Sequence, residues 1–291
     1  MCDTILAIGK SQLQHGPAND RVYVMKLDPA ATDTMLDRIA KLTAEKGYSK
    51  IFAKVPAPAR GAFLKRGYVE EAHIPGYYDG CTDLHFMSRF LTRERASDAD
   101  EEKHKSLLLL ARQKALGTTC TQTKLPASFH YRTCSEQDVE EIVRLYCQVF
   151  ESYPFPIHDP DYIAETMHTN VTYFGIWKDR RLVALSSAER DLAAGSVEMT
   201  DFATLPSARR RGLSVFLLQR MEEKMVRCGV YTAYTIARAA SAGMNIVFAK
   251  QKYQYGGTLV NNTNICGQLE SMNIWWKNLS AEAESTVSGH E

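Results

Sequence analysis

The 291-residue chain lacks a surplus of either charge: 35 Lys and Arg stand against 34 Asp and Glu, a formal net charge of +1. No global field draws it to nucleic acid or to an anionic membrane. It shows no aromatic-basic face of the kind that binds single strands. A long apolar run is also missing. The longest aliphatic stretch, Leu107 to Ala111, is far too short to cross a bilayer. Met1 to Leu6 carries no basic region before an apolar core, so no secretory signal is indicated. The seven cysteines, at 2, 81, 120, 134, 147, 228 and 266, include no C-x-x-C pair and have no His cluster at zinc spacing. An odd, scattered set reads as reduced thiols in a cytoplasmic protein, and no metal is expected. What is present is ordinary globular composition, 45% hydrophobic and 24% charged. The length suits two domains of roughly 100–200 residues each.

The pattern divides the chain into three. Residues 1–92 hold a small α/β unit. Its strands are expected at 22–27 and 50–55, with a strand pair at 68–74 and 83–91 around a turn at Gly76 to Gly80. Its helices carry the face Met35, Leu36, Ile39, Leu42 and the short run Arg60 to Arg66. Residues 93–127 form a charged helix and a Thr-rich linker, with mixed signs that suit a solvated face. Residues 128–291 hold a second unit. A strand at 130–132 leads to a helix through Ile142 and Tyr146, and a Pro-broken loop follows from Tyr153 to Pro160. Strands at 171–177, 181–189 and 198–205 precede a helix, and a strand, a helix and two final strands complete it. Phe63 to Tyr68 echoes Phe248 to Tyr253, each between a helix and a strand pair, so the first unit reads as a degenerate half of the second's fold; coincidence over six residues is the rival reading.

The most informative stretch is Arg209-Arg210-Arg211-Gly212-Leu213-Ser214. It lies between a strand-like run and a helix in which Leu217, Leu218, Met221 and Met225 recur at helical spacing. The first turn of a helix has unpaired N–H groups, and with the helix dipole these make an anion site. Gly212 and Ser214 let a phosphate approach the backbone, and arginine forks suit phosphate oxygens. No Lys-Ser or Lys-Thr follows the glycine, so this is not a nucleotide triphosphate loop, and no G-x-G-x-x-G supports a dinucleotide. A solvated basic turn on a helix cap is the plain alternative.

The pattern R-x-x-G-x-[small] between strand and helix resembles the coenzyme A loop of the GNAT N-acetyltransferases. The element order over 129–278 resembles their whole domain. Longer strings resemble the β-lysine N6-acetyltransferases: Ser152 to Ile157, Glu198 to Pro206, Tyr234 to Arg238, Ser271 to Asn273, and Ile74 to Tyr78 in the first unit. The resemblance implies an α/β protein of GNAT fold, a mixed, mostly antiparallel twisted sheet with flanking helices, preceded by a smaller GNAT-like unit. It implies acetyl-CoA as co-substrate, no metal, and β-lysine as a small amine acceptor in compatible-solute synthesis. Another small amine, a protein amine, or a non-catalytic acyl-CoA sensor are the rival functions. A homodimer is compatible with it.

The resemblance also assigns roles. Phe202, Ala203 and Thr204 should offer backbone groups to the pantetheine arm. Arg209, Arg210, Arg211, Gly212, Leu213 and Ser214 should grip the diphosphate, and Asn245 should touch the coenzyme arm; as a plain reading Asn245 is a helix cap. An amine attacks a thioester only when neutral, so a proton acceptor is needed. Glu198 matches the general base of one branch of the superfamily; its plain reading is a solvated strand-end glutamate. Asp201 is expected to hold the acceptor ammonium or to pair internally, and Glu189 is a weaker candidate of the same kind. Strict alternation puts Asp201 on the face opposite Glu198, unless a bulge intervenes. The position usual for a tyrosine acid holds Phe248, which cannot donate a proton, so Tyr253, Tyr255 or water should substitute. Arg238, Asn262, Asn264 and Asn273 are candidates for polar contacts to the acceptor, with Tyr153 and Phe155 walling its chain.

Overall fold

A computed structural model describes residues 3–118 and 121–280. The chain opens with an antiparallel trio, β1 (Thr4–Ile8), β2 (Ser11–Gly16) and β3 (Arg21–Lys26). Helix α1 (Thr32–Lys46) follows, burying Met35, Leu36 and Ile39 at helical spacing. Then come β4 (Lys50–Pro56), α2 (Arg60–Lys65) and the hairpin β5 (Val69–Tyr78) and β6 (Thr82–Phe90). Two helices, α3 (Arg93–Ala96) and α4 (Glu101–Ala115), connect to the second unit. There β7 (Phe129–Thr133) leads to α5 (Val139–Val149), started by a capping box of Ser135 and Asp138. Helix α6 (Pro160–Thr169) precedes β8 (Val171–Lys178), β9 (Arg181–Asp191) and β10 (Ser196–Thr204). The described residues continue with α7 (Leu213–Arg227), β11 (Thr232–Arg238), α8 (Ala242–Lys250), β12 (Gln254–Ile265) and β13 (Gln268–Asn278).

All thirteen strands join one sheet, ordered β1-β2-β3-β4-β6-β5-β12-β13-β11-β10-β9-β8-β7. Among the described residues only β3–β4 and β10–β11 are parallel. The run β1-β2-β3-β4-β6-β5 repeats as β8-β9-β10-β11-β13-β12, with a helix after the third and the fourth strand of each run. The echoed hexapeptides occupy equivalent places. Phe63 meets Tyr68 edge-on at 4.9 Å and 74°, and Phe248 meets Tyr253 at 5.1 Å and 71°. In each pair the tyrosine N–H donates to the phenylalanine carbonyl, at 3.2 and 3.1 Å. Tyr253 therefore has a packing role that its counterpart fills in a unit without the basic loop.

The two halves meet where β5 pairs with β12 at Ala72 and Gly257. Gly257 has φ +144°, and a Cβ there would lie 2.2 Å from the Glu71 carbonyl oxygen. Beside this join Lys50 and Glu71 of the first unit form a buried ion pair at 2.7 Å. Lys50 also donates to the Val260 carbonyl at 2.8 Å, and Glu71 accepts from the Val260 N–H at 2.6 Å. Burial lowers the Lys50 pKa to about 8 against the support of Glu71. Tyr23, Phe52, Ile74, Tyr77, Tyr234, Leu259 and Met272 share one core over the join.

Several sequence expectations need correction. The hairpin β1–β2 was not foreseen: Thr4 to Ile8 is largely exposed, and the alternation is weak. Gly76 to Tyr78 belongs to β5 rather than to the turn, which falls at 79–81. Helix α6 was missed, although Asp159 caps it through the Asp161 N–H and Pro160 sits at its first position. The charged segment forms the expected, largely exposed helix α4, which also packs on α8, and before it Asp98 accepts from the Ser271 hydroxyl at 2.7 Å. Cys81, Cys134, Cys147, Cys228 and Cys266 are free thiols, while Cys2 and Cys120 lie outside the described residues. Among the described residues no helix is long and apolar enough to cross a membrane.

Candidate active site

Strands β10 and β11 pair only from Ser196 to Glu198, opposite Thr232 to Tyr234. Beyond Glu198 they part. β10 stays with β9 through a bulge between Thr200 and Ala203, and β11 stays with β13. The parting leaves the backbone of Phe202 to Thr204 without a strand partner on the β11 side. It also opens a cavity of about 300 Å³.

At the end of β10, Gly212 caps α7 in the left-handed region, φ +74°, and no side chain caps the helix. Arg210 is also left-handed, φ +63°. No acid lies in the first turn, and Arg209, Arg210, Arg211 and Gly212 are exposed. Leu213 is buried beneath this turn and anchors it, and Ser214 follows half-buried. An uncapped, acid-free helix start bordered by three arginines fits the diphosphate of an acyl coenzyme. Arg209 turns back to bond the Thr204 carbonyl at 3.2 Å, closing the loop between strand and helix.

The cavity is built by both units. Arg21, Tyr23 and Met25 line it from alternate positions of β3, and Phe52 and Lys54 from alternate positions of β4. The second unit contributes Tyr153, Phe155, Glu189, Glu198, Asp201, Phe202, Arg238, Phe248 and Asn262, all read from the sequence as site residues.

Three carboxyl groups converge there. The bulge puts Asp201 at φ +53° and overturns simple alternation, so Asp201 lines the same cavity as Glu198. The hydroxyls of Tyr153 and Ser187 donate to Asp201, and that of Thr200 lies 3.3 Å away. No arginine pairs with it among the described residues, and Tyr153 thus serves the carboxylate as well as the wall. Burial pushes the Asp201 pKa up, against these three donors. Glu198 Oε2 accepts from the Tyr234 hydroxyl at 2.9 Å, and the Tyr234 oxygen accepts from Lys54 Nζ at 2.7 Å. Burial raises Glu198 as well, while Lys54 and Tyr234 pull it down. Glu189 is open to water through the cavity but crowded by protein, and this dehydration, with Glu198 opposite, raises it to about 7. Burial disfavours the Lys54 ammonium, yet the groups facing it, Tyr23, Tyr77, Glu198 and Glu189, hold its pKa well above the usual value. Lys54 therefore stays charged.

Other expected contacts are used up inside the protein. Asn245 is fully buried; its Nδ2 donates to the carbonyls of Arg238 and Ser241, and its Oδ1 accepts from Asn273 and Trp275. That amide has no capacity left for a coenzyme and instead ties α8 to β11 and β13. Asn273 is also engaged inside the protein, donating to Asn245 and accepting from Thr258 through its Oδ1. Arg238 reaches the rim, but its guanidinium forms a two-pronged pair with Glu270 at 2.7 and 2.5 Å. Asn264 accepts from the Gly267 N–H at 3.0 Å and is not in the lining. Tyr253 also lies outside the lining, behind Phe248. Phe248 touches Phe202 edge-on at 5.7 Å, closing the cavity between β10 and α8. Metal-type ligands gather at His73, Asp83 and His85, on β5 and β6 outside the cavity, where His73 bonds Asp83 at 2.8 Å.

Sequence reasoning missed Arg21, Tyr23, Lys54 and Tyr234. A signal for Lys54 was available: a lysine between Phe52-Ala53 and Val55 in a strand too apolar for a solvated edge.

Residues 139–250 match the acetyltransferase (GNAT) family. The chain is 42% identical over 275 residues to the β-lysine N6-acetyltransferase of Methanococcus maripaludis, covering 94% of this chain and 98% of that protein. It is 32% identical to the β-lysine N6-acetyltransferase of Methanosarcina mazei, covering 82% and 94%. Among solved structures, the spermidine/spermine N-acetyltransferase SpeG of Vibrio cholerae aligns at 16% identity and a TM-score of 0.48, over 55% of this chain and 99% of that one. With a near full-length relative at this identity, the parted strands and the uncapped basic helix start have a family to belong to: the chain is an acyltransferase of the GNAT acetyltransferase family.

Proposed function

We propose that the protein moves the acetyl group of acetyl-CoA to the side-chain amine of β-lysine by direct attack, giving N6-acetyl-β-lysine, a compatible solute, in the cytoplasm. The observation that carries this reading is the convergence of Glu189, Glu198 and Asp201 in one cavity beside the parted strands. The relationship to β-lysine N6-acetyltransferases over most of the chain supports the choice of acceptor.

A lysine-type ammonium has a pKa of about 10.4, so the site must seat a cation and then take its proton. Asp201, fixed by three hydroxyls, seats the ammonium. Glu198 accepts the proton, directly or through a water, and the Lys54–Tyr234 chain fixes its orientation. Acetyl-CoA, when bound, supplies the activated thioester carbonyl. Phe202 and Phe248 limit water on that side of the cavity. With Phe248 at the end of the cavity and Tyr253 behind it, water protonates the departing thiolate, whose pKa is about 8.5 on the cysteine scale. The first unit, a degenerate repeat of the second, completes the acceptor pocket through β3 and β4.

Thiol release is the test, with β-lysine, α-lysine, simple diamines and lysine peptides as acceptors. The expected result is the highest kcat/KM with β-lysine. Equal rates with α-lysine overturn the acceptor, and no thiol release with any amine favours the coenzyme-binding sensor.

A further inference from the structure

One charged group in the cavity has no counter-charge. Arg21 is 4% exposed and forms no ion pair among the described residues. Its Nη1 donates to the Asn262 carbonyl and lies 3.4 Å from the Thr263 hydroxyl, while its Nε has no hydrogen-bond partner. The rings of Tyr23 and Phe52 flank the guanidinium, with centroids 5.2 and 5.6 Å away. Burial lowers its pKa to about 10; Arg95 opposes the charge, and Asp3 supports it from beyond ion-pair range. The group is still a cation at neutral pH. In the same wall the Asn262 Oδ1 is buried and also without a partner. A buried cation without an anion is strongly unfavourable, and so is a buried acceptor without a donor.

Position gives these two unmatched groups a meaning. Arg21 lies beside Lys50 in the β3–β4 register, so Lys54 is four strand positions on, about 13 Å along the strands. Lys54 marks the end with the three carboxyl groups. Tyr23 and Phe52 line the stretch between, and Met25 lies level with Lys54. The cavity is therefore acidic at one end, apolar in the middle and cationic at the other. That order is complementary to an amino acid whose reacting amine is separated from its carboxylate by a short methylene chain.

We infer that Arg21 of the first unit receives the acceptor's carboxylate, and that Asn262 Oδ1 receives the ammonium next to it. This places a specificity-determining contact in the unit without the coenzyme loop. It replaces Arg238, whose guanidinium is held by Glu270. The inference rests on the amino-acid acceptor reading above.

The test compares β-lysine with pentane-1,4-diamine, the same chain without its carboxylate, using wild-type protein, Arg21→Met and Arg21→Lys. In wild type, β-lysine is expected to exceed the diamine by about a hundredfold in kcat/KM, the scale of a charge-assisted contact made away from water. In Arg21→Met that ratio collapses toward one, through KM rather than kcat, and Arg21→Lys recovers part of it. A loss shared equally by both acceptors, in a variant whose melting shows it folded, makes Arg21 structural and overturns the inference. An unchanged ratio overturns it as well. A wild type that acetylates the diamine as well as β-lysine leaves the amine chemistry standing and removes only the carboxylate seat. A wild type active on neither ends both readings together.

Discussion

Glu189 and Glu198 stand directly opposite each other on β9 and β10. Like charges at a cross-strand pair repel, and the protein crowded around the two groups leaves little water to screen that repulsion. Both carboxyl groups are pushed up, Glu189 to about 7. Lys54 can neutralise one negative charge at this place and not two. The pair therefore takes up its second negative charge only as pH rises through neutrality, and it behaves as one coupled acid.

The rate of acetyl transfer should follow that titration. kcat/KM is expected to rise with pH as Glu198, which burial holds above the ordinary carboxyl value, gives up its proton. Removing the opposing charge in Glu189→Gln lowers the pKa of Glu198 and moves the rising limb to lower pH. Glu198→Gln should lose about 10²- to 10⁴-fold in turnover, the usual scale of a general base, while acetyl-CoA binding by calorimetry is retained. A flat pH profile, or full activity in Glu198→Gln, removes this residue from the chemistry.

Stability should show the same group with the opposite trend. The folded pKa of Glu189 lies above its ordinary value of 4.5. Its protonated form therefore favours the fold below about 4.5, and that contribution is lost as pH rises through about 7. Glu189→Gln, which cannot ionise, should gain in melting temperature relative to wild type as pH goes from 5 to 8. A difference that stays constant over this range means Glu189 is not dehydrated in the fold.

Lys54→Met tests the tie between the units. It removes the cation that holds Glu198 down, so the rising limb should move to higher pH. For every pH step of one that the limb moves, the rate at a fixed pH below it falls roughly tenfold. Tyr234→Phe breaks the same chain and should move the limb in the same direction by less. A limb that does not move in Lys54→Met separates the first unit from the chemistry.

Gly257→Ala should break the join of the halves. The added Cβ meets the Glu71 carbonyl oxygen at 2.2 Å in a φ that L-residues rarely adopt. A loss of about 3 kcal/mol or more is expected in denaturant unfolding. Unchanged stability places the join elsewhere.

Tyr253→Phe should leave turnover close to wild type, because its ring repeats the packing of Tyr68 in the first unit. A fall of about a hundredfold, the size of a general-acid contribution, returns its hydroxyl to the reaction.

The strand, turn and helix start proposed for the coenzyme were legible as structure because they are local. The strand, the Arg209 to Ser214 turn and the helix are contiguous, and the turn chemistry is written in neighbouring residues. The acceptor side was legible only in part. Glu189, Glu198, Asp201, Tyr153 and Phe155 lie near each other in the chain or on paired strands, and they do meet. Arg21 and Lys54 reach the cavity from more than a hundred residues away, through an edge pairing that no periodicity announces. Asn245 and Asn273 were not legible because an amide's partners are fixed by packing: they bond one another, Trp275, Thr258 and the carbonyls of Arg238 and Ser241. The place of Asp201 turned on one bulge, which reverses a face without leaving a distinct pattern in the letters.

The edge pairing of β5 with β12 gives the molecule a division of labour. In the proposed function the second half holds the acyl carrier, and the first adds β3 and β4 to the wall of the acceptor cavity. On that proposal, substitutions along those two strands should retune the choice of acceptor while leaving the grip on the carrier untouched, which would make the chain a ready starting point for new amine specificities.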